Sequence, residues 1–328
     1  MFTIIIPIDL TFRPSDIFNK AIFFAVKAGK EKIKLVFGLN DRETFWDEKF
    51  YRALSSYKNV VVNKIVRNNS SVNSSLLRNV AFEKVMTKYV VIYDVDIYPD
   101  FSMLYKYVKL LSSNVRPFYI LPCLYLSKYG SARLLSGIEN LSTLKEKYFS
   151  FSRKEFLHLA SPSSLTIMKS NDFEAINGFD ISYEGHGYED FDFLLRLSKL
   201  YNIFDYCDDF YLDKVARSPL FAVGFRKYLG KLCIDCLLNK EFAFHLYHEK
   251  DSSYHSSRVV NKNIFMEKHC VITENVDQAY KDTLIVDFIN ECRNRDLNIH
   301  NFSILFENKP GHIDRYETFK KKLRFLFK

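Results

Sequence analysis

Glycine, proline and tryptophan are scarce in this chain of 328 residues, which has 10, 8 and 1 of each. The low glycine and proline content excludes collagen-like and Gly/Pro-rich low-complexity proteins. No apolar run reaches the roughly 18 residues that a membrane-spanning helix needs. The first residues, MFTIIIP, have no basic segment and too short an apolar run for a signal peptide. We therefore expect a cytoplasmic protein.

Cysteine is also sparse, with six residues scattered along the chain. Such a distribution is not typical of a small disulfide scaffold. Cys233 and Cys236 form a C-x-x-C motif, but the sequence has no second C-x-x-C to complete a zinc site. The segment around them has the pattern of an amphipathic helix, so we expect ordinary buried thiols.

The charges of the chain are nearly balanced: 47 Lys and Arg against 39 Asp and Glu give a net charge of +8. This mild excess suits an anionic partner such as a nucleotide diphosphate, an acidic polymer or a membrane surface. No RNP motif, zinc-finger spacing or long basic stripe indicates nucleic acid. Residues 220–238 and 319–328 combine Phe and Leu with Arg and Lys. This composition suits either an anionic bilayer surface or a helix face packed on its own domain.

Apolar runs alternate with helical periodicity through the first hundred residues. The pattern predicts strands over 3–6, 33–39, 59–66 and 89–93, and helices over 15–29 and 74–87. Further along, it predicts helices over 102–112 and 189–201, strands over 117–122 and 163–169, and helical structure from 278 onward. Continuous apolar strands separated by helices favour parallel βαβ units in a doubly wound sheet. Ligands of such sheets bind beyond the carboxyl ends of the strands.

Two carboxylates, Asp94 and Asp96, directly follow the predicted strand over 89–93. Residues at i and i+2 of an extended chain point the same way, so we expect the two carboxylates to meet. Such a pair suits a hard divalent cation that is shared with substrate phosphates. The alternative is a solvated turn that ends the strand before Pro99.

A second acidic segment is rich in glycine: Gly178, Gly185 and Gly187 are three of the ten glycines. Clustered glycines indicate a tight backbone or a close approach to a ligand. Glu189 and Asp190 follow at the start of a predicted helix, whose dipole favours the ionised form of both. An ionised carboxylate beside an acceptor hydroxyl can serve as a general base. The alternative is a helix-capping turn in which the acids only interact with the dipole.

Two histidines, His245 and His248, lie three residues apart after an apolar segment. Histidine is a frequent ligand of Mn²⁺ and Zn²⁺. The pair therefore suggests metal binding by at least one ring, with simple packing as the alternative.

In this order, five segments resemble family 2 glycosyltransferases of the GT-A fold: TIIIP (3–7), SSLLRN (74–79), DVD (94–96), GHGYED (185–190) and HLYH (245–248). The sequence is similar to the bacterial capsule-biosynthesis branch, the chondroitin-polymerase N-acetylgalactosaminyl domain and the β-1,4-galactosyltransferase group. The resemblance implies a GT-A domain over 1–265, with a nucleotide-binding half (1–100) and an acceptor-binding half (101–265). Its fold would be a Rossmann-like mixed α/β sheet flanked by helices, followed by a helical C-terminal extension over 266–328.

The resemblance also implies a role for each matching residue. Asp190 would be the catalytic base, and Glu189 would help to hold the acceptor. The metal, Mn²⁺ or Mg²⁺, would be bound by Asp96 together with His245 or His248. The nucleotide sugar would be bound by Pro7, Asp9, Asn40, Asp41, Arg78, Asn79, Asp94, Val95, Asp96 and Gly187. His186 and Tyr188 stand where the family often has Trp and Gly, and they would contact the sugar or the acceptor.

The implied enzyme is an inverting, metal-dependent glycosyltransferase. It would move a sugar, with N-acetylhexosamine or galactose favoured, from a UDP-sugar to a capsular or lipopolysaccharide glycan. The acceptor would be lipid-linked, at the inner face of the plasma membrane, where the protein would attach peripherally. Two alternatives remain open: a nucleotidyltransferase acting on nucleotide sugars, which leaves the G-x-G-x-E-D segment unexplained, and a non-catalytic partner in polysaccharide assembly. The sequence leaves open the donor sugar, the acceptor and the oligomeric state.

Overall fold

A computed structural model describes residues 1–67, 71–204, 209–214, 216, 218–249, 254–269 and 283–307. The chain divides into two compact units that interleave along the sequence. The first unit comprises Met1–Ile120, Ser164–Asp205 and Glu249–Val271, and the second comprises Leu121–Ser163, Tyr206–His248 and Ile272–Lys328. These are units of packing, and the domain boundary that the resemblance places at residue 265 stays a prediction.

Helices and strands follow one another in a mixed order. Along the chain they are β1 (Phe2–Ile8), α1 (Pro14–Lys30), β2 (Lys34–Asn40), α2 (Phe45–Ser55), β3 (Val60–Ile65), α3 (Ser74–Phe82), β4 (Tyr89–Ile92), α4 (Phe101–Ser112), β5 (Tyr119–Ile120), β6 (Cys123–Leu126), α5 (Lys128–Leu135), α6 (Leu141–Phe149), β7 (Phe156–Ala160), β8 (Thr166–Lys169), α7 (Ser170–Ala175), α8 (Glu189–Leu200), α9 (Phe225–Lys231), α10 (Ile234–Leu238), β9 (Ala243–His245), α11 (Tyr254–His269) and α12 (Ile285–Asn294). Short 3-10 helices cover Pro219–Phe221 and Ile299–Phe306.

The first unit is built on a six-stranded sheet with the order β3-β2-β1-β4-β8-β5. Its first four strands are parallel, whereas β8 is antiparallel to both β4 and β5. Every residue of β4 is buried, and so is nearly every residue of β1 and β2. Burial of successive residues, which point to opposite faces, means that both faces of the sheet are covered. The predicted mixed α/β sheet flanked by helices is therefore confirmed.

The strand order places a topological switch point between β1 and β4. From β1 the chain builds outward through β2 to β3, and it then returns to add β4 on the other side of β1. The connections from β1 and β4 therefore leave in opposite directions and open a crevice at their carboxyl ends, where doubly wound sheets bind ligands. Asp9 follows β1 and Asp94 follows β4, so both lie at this end of the sheet.

The second unit has a three-stranded sheet with the order β7-β6-β9. Strand β6 is antiparallel to β7 and parallel to β9. Aromatic side chains fill much of its core: the ring of Tyr148 contacts those of Phe156 and Phe242 with centroids 5.5 and 5.7 Å apart. The sheet brings His158, Tyr125 and His245 together on neighbouring strands.

The structure differs from the sequence-based expectations at several elements. Helix α3 ends at Phe82 rather than at 87, because the chain must turn back before it enters β4. The strand expected over 117–122 is only Tyr119–Ile120, since the prolines at both ends of that segment cannot donate to a ladder. Helix α2 was not predicted, although Thr44 and Asp47 form a capping box that marks its start. The sequence-based expectations also missed four further helices and three strands: α5, α6, α7, α11, β6, β7 and β9.

The C-x-x-C segment forms two short helices, α9 and α10, and not one amphipathic helix. Cys233 and Cys236 are buried free thiols, as expected. Phe225, Leu229 and Leu237 are also buried, so the apolar side of residues 220–238 packs within the protein. The other basic and aromatic segment, 319–328, lies outside the described residues. Among the helices that the structure describes, none combines the length and apolarity that crossing a bilayer requires.

Gly38 in β2 allows α3 to lie directly on the sheet, and we expect its replacement by alanine to be strongly destabilising. A methyl group there would lie 1.9 Å from the backbone carbonyl oxygen of Leu77. Since backbone cannot rotate away, the change Gly38→Ala should cost about 3 kcal/mol of unfolding free energy. Urea unfolding measures this. Gly29→Ala is the matched control, because its methyl group would meet only the side chain of Asn59. Unchanged stability of Gly38→Ala would contradict the close packing of α3 on β2.

Candidate active site

The D-x-D segment after β4 forms a turn, closed by a hydrogen bond from the amide of Ile97 to the carbonyl oxygen of Asp94. The chain is therefore not extended here, and the argument that placed both carboxylates on one side does not apply. Asp94 and Asp96 instead contact separate sets of residues. Val95 between them is buried. Because of this turn, Asp96 contacts Arg13 and Lys20, whereas Asp94 contacts Arg78 and Ser164.

Asp96 is held by two cations from α1 and the residue before it. Arg13 donates to both carboxylate oxygens of Asp96, at 2.8 Å to Oδ1 and through a shorter bond to Oδ2, and Lys20 donates to Oδ1 at 2.7 Å. Arg13 and Lys20 also contact Asp16, so two cations and two anions form one cluster. Only 6% of the Asp96 side chain is exposed, and these partners offset much of the cost of burying its charge.

Arg78 on α3 joins the D-x-D segment to the Gly-rich acidic segment. Its guanidinium donates at 3.0 Å to Oδ1 of Asp94 and at 3.0 Å to Oδ1 of Asp190. The Arg78 side chain is 3% exposed, whereas those of Asp94 and Asp190 are 29% and 28% exposed. Ser164 donates at 2.7 Å to the other oxygen of Asp94. This arrangement, the Arg78 cluster of Arg78, Asp94 and Asp190, links two segments that the sequence analysis identified independently.

The acids Glu189 and Asp190 begin α8, as predicted. Burial raises the pKa of Asp190 to about 7; Arg78 opposes this shift, and the negative charges of Glu189 and Asp94 add to it. Burial likewise raises the pKa of Glu189, and Arg78 again opposes the shift. Burial therefore acts against the helix dipole, which favours the ionised acids. A carboxyl that titrates near neutrality suits a general base.

The backbone before α8 is tightly folded and covered by α11. Gly185, Gly187 and Tyr188 have φ of +73°, +99° and +73°, in the left-handed region that glycine adopts at low cost. A methyl group on Gly185 would lie 2.2 Å from the hydroxyl of Ser257, and one on Gly187 would lie 2.8 Å from Nη1 of Arg258. Gly185 is thus needed for the close approach between loop and helix, whereas Gly187 is needed for its left-handed backbone, since the end of the Arg258 side chain could move aside.

His186 and Tyr188, the two residues of this loop that depart from the family's usual Trp and Gly, have different surroundings. His186 is exposed. Tyr188 is only 4% exposed, its ring lies 5.5 Å from that of Phe265, and the guanidinium of Arg258 lies 5.0 Å from its centroid. At the far end of α11, His269 pairs with Asp192 at 2.7 Å. Helix α11 therefore holds the loop and α8 together, and the structure gives the Tyr188 ring a packing role.

After the end of β1, Asp9 forms a small polar group with the last residue of β2 and with Arg42 just beyond it. Asn40 donates to its Oδ2 at 2.8 Å, and Arg42 pairs with the same oxygen at 3.2 Å. Although burial alone would raise the pKa of Asp9, hydrogen bonds from Thr11 and Asn40 hold it below its usual value. Pro7 lies on β1 itself, paired in register with Gly38. Predicted nucleobase residues are thus together at the carboxyl edge of the sheet.

Two of the predicted nucleotide residues already have structural partners. Asn79 uses both ends of its amide on the backbone of Phe179, donating to the carbonyl and accepting from the N–H at 2.8 Å each. Asp41 accepts from Lys64 at 2.7 Å, in an ion pair whose side chains are 14% and 39% exposed. Contacts of Asn79 and Asp41 with a nucleotide stay predictions.

His245 and His248 belong to the second unit, at and after the end of β9. Their ligand nitrogens lie within 4.8 Å of each other. Nδ1 of His245 lies 2.8 Å from the carbonyl oxygen of Leu246. Because a carbonyl only accepts, Nδ1 is the donor of this bond, and in the neutral ring a proton on Nδ1 makes Nε2 the nitrogen through which imidazole binds metals.

The donor chemistry fits the divalent cation that the family resemblance implies. Neutral imidazole nitrogens and a carboxylate such as Asp96 are suitable ligands for Mn²⁺. A cation on Asp96 would compete with Arg13 and Lys20 for the carboxylate oxygens. The metal site itself stays a prediction.

Sequence reasoning missed Arg13, Lys20, Ser164 and Arg258. One of them had a detectable signal, because Lys20 interrupts the apolar face of α1 formed by Ile17, Ala21 and Phe24. A charged residue on a buried helix face requires a partner of opposite charge. The remaining three contact the candidate site residues Asp96, Asp94 and Tyr188, which are distant from them in sequence.

Residues 3–271 match the family model described as "Glycosyltransferase like family 2". Among solved structures, the chain is similar to S. aureus TarS 1–349 in complex with UDP-GlcNAc, at 12% identity and a TM-score of 0.42, covering 89% of this chain and 72% of that one. For another structure of TarS 1–349 the identity is 14% and the TM-score 0.40, covering 60% of this chain and 54% of that one.

A third similar structure is a mutant of Drosophila β1,4-galactosyltransferase 7 in complex with manganese, UDP-Gal and xylobiose. The identity is 14% and the TM-score 0.31, covering 60% of this chain and 59% of that one. In this alignment, and in the one that covers 54% of TarS 1–349, the chain spans less than two thirds of the other protein. No curated protein matches the sequence.

Proposed function

The chain belongs to the glycosyltransferase-like family 2, and from that premise we propose that it transfers a sugar from a UDP-sugar to a glycan hydroxyl with inversion at the anomeric carbon. It is an enzyme of the glycosyltransferase class. The observation that carries the inverting mechanism is the Arg78 cluster, in which one buried guanidinium joins Asp94 of the D-x-D segment to Asp190. The Arg78 cluster thus links Asp94, which would contact the donor, to Asp190, which would contact the acceptor.

The donor would bind at the carboxyl edge of the six-stranded sheet. Pro7, Asp9, Asn40 and Asp41 would surround the base, and Asp94 would contact the ribose. Arg13 and Lys20 place two positive charges beside Asp96, where the diphosphate would lie. A divalent cation held by Asp96 with His245 or His248 would offset the charge that develops on the leaving diphosphate.

The acceptor hydroxyl would approach Asp190. Its carboxylate would take the hydroxyl proton as the oxygen attacks the anomeric carbon from the face opposite the diphosphate, and this single displacement inverts the configuration. Oε2 of Glu189 accepts no hydrogen bond from any described residue, so it is available to hold a second hydroxyl of the acceptor. His186 is exposed in the same loop and would contact the sugar.

The finer assignment is a hexosyltransferase of capsular or lipopolysaccharide synthesis. An N-acetylhexosamine or galactose donor, a lipid-linked acceptor and peripheral attachment at the inner face of the plasma membrane all follow from the resemblance. The net charge of +8 is compatible with an anionic surface. Of the alternatives, a nucleotidyltransferase leaves Glu189 and Asp190 without a role, and the family match favours glycosyl transfer.

The test is release of UDP from a panel of UDP-sugars, with Mn²⁺ and with EDTA. We expect slow hydrolysis of one donor that requires the metal, because water can replace the acceptor. Faster release with a crude lipid-linked acceptor fraction would support the finer assignment. A chain that neither binds UDP nor releases it under any of these conditions would contradict the proposal and favour a non-catalytic partner.

A further inference from the structure

Three aromatic rings form a ladder across the sheet of the second unit. Tyr125 on β6 pairs in register with His158 on β7 and with His245 on β9. Its ring stacks on His158 with centroids 4.3 Å apart and planes inclined by 18°, and on His245 at 4.0 Å and 13°. Directly opposite residues share one face of a sheet, so the strand register itself produces this stack.

The ladder restricts the ring of His245. The last side-chain torsion of histidine is broad, so an isolated imidazole could turn its plane freely. Here one face of the ring lies against Tyr125, and Nδ1 is engaged with the carbonyl oxygen of Leu246. Two contacts of different kinds therefore fix the ring plane and the position of the proton. The stack sets the plane, and the bond from Nδ1 to Leu246 sets which way Nε2 points within that plane.

We propose that Tyr125 is a positioning residue, which holds the imidazole of His245 in the orientation that binds the divalent cation. The inference rests on the proposed function, because it concerns the metal that this function uses. His248, whose ring centroid lies 5.2 Å from that of His245, is inclined by 44° and lies outside the stack. Of the two histidines, His245 is thus the one that the Tyr125 stack orients. Loss of such support around a metal ligand typically weakens metal affinity by about 10–100-fold.

The test measures Mn²⁺ affinity of the full chain without substrate, by the EPR signal of free Mn²⁺. We expect Tyr125→Leu to weaken Mn²⁺ binding by about tenfold. Tyr125→Phe, which keeps the stacked ring, should bind Mn²⁺ as the wild type does. His158→Leu is the matched control for damage to the ladder, because it removes an equally stacked ring that pairs with Tyr125 and not with His245.

A second measurement separates positioning from general damage. In metal-free protein, ¹⁵N spectra of the histidine rings should show a single tautomer of His245 in the wild type and in Tyr125→Phe. A mixture of tautomers is expected in Tyr125→Leu. If Tyr125→Leu does not fold, Tyr125→Val, which suits a strand, takes its place.

The outcomes distinguish the inference from the function on which it rests. If His245→Ala abolishes Mn²⁺ binding but Tyr125→Leu binds Mn²⁺ with wild-type affinity and one tautomer, the positioning role is wrong and the metal site stands. If the wild type binds no Mn²⁺, or His245→Ala binds it equally well, the metal site fails and the role of Tyr125 fails with it.

Discussion

The variant Asp190→Asn should transfer sugar about 10³-fold more slowly than the wild type, because it lacks the carboxylate that we propose as the general base. Binding of the UDP-sugar should be unchanged, since asparagine keeps an oxygen that can accept the hydrogen bond from Arg78. Single-turnover kinetics with the preferred donor and acceptor would measure the loss, and calorimetry would measure donor binding. Asp180→Asn is the matched control, as Asp180 belongs to the same acidic segment but pairs with Lys268.

The pH profile is a second readout of the same base. Because burial raises the pKa of Asp190 to about 7, and only the ionised form accepts a proton, kcat/KM should rise from about pH 6 to about pH 8 and then level off. A profile that is flat across this range would remove Asp190 from the role of base. Full activity of Asp190→Asn would do the same.

The second large effect is expected for Arg78→Met. Arg78 is 3% exposed and contacts two carboxylates, so its removal leaves both without their cation. We expect a loss of about 3 kcal/mol in unfolding free energy, the low end for a broken buried ion pair, because the carboxylates are partly exposed. Since Arg78 lowers the pKa of Asp190, the rising limb of the pH profile should also move to higher pH.

Urea unfolding and the pH profile of residual activity test this expectation. Arg78→Lys should be intermediate in both, because an ammonium cannot donate as a planar fork to two carboxylates. Arg52→Met is the matched control, since it removes an arginine whose ion pair with Glu48 lies in solvent and contributes little. Unaltered stability together with an unshifted pH profile in Arg78→Met would show that the Arg78 cluster neither stabilises the fold nor sets the pKa of Asp190.

Local sequence patterns determined much of the fold and the position of the acids. Strands β1, β2 and β4 are continuous apolar runs, and such runs occur where both faces of a sheet are buried. Asp94 was placed after a strand, and Asp190 at a helix N-terminus, from chemistry within a few residues of each. The two short helices α9 and α10 show the limit of such patterns, because an apolar periodicity does not reveal where a helix is interrupted.

The sequence by itself therefore identified the candidate residues of this glycosyltransferase and placed Asp94 after a strand and Asp190 at the start of a helix. Only the tertiary structure decided which of them meet. Arg78 and Asp190 are 112 residues apart, and Lys20 and Asp96 are 76 apart. The periodicity of apolar residues indicates which face of a helix or strand is buried, but the partner of that face depends on how distant elements pack. Charged partners and stacked rings across strands are decided at that level.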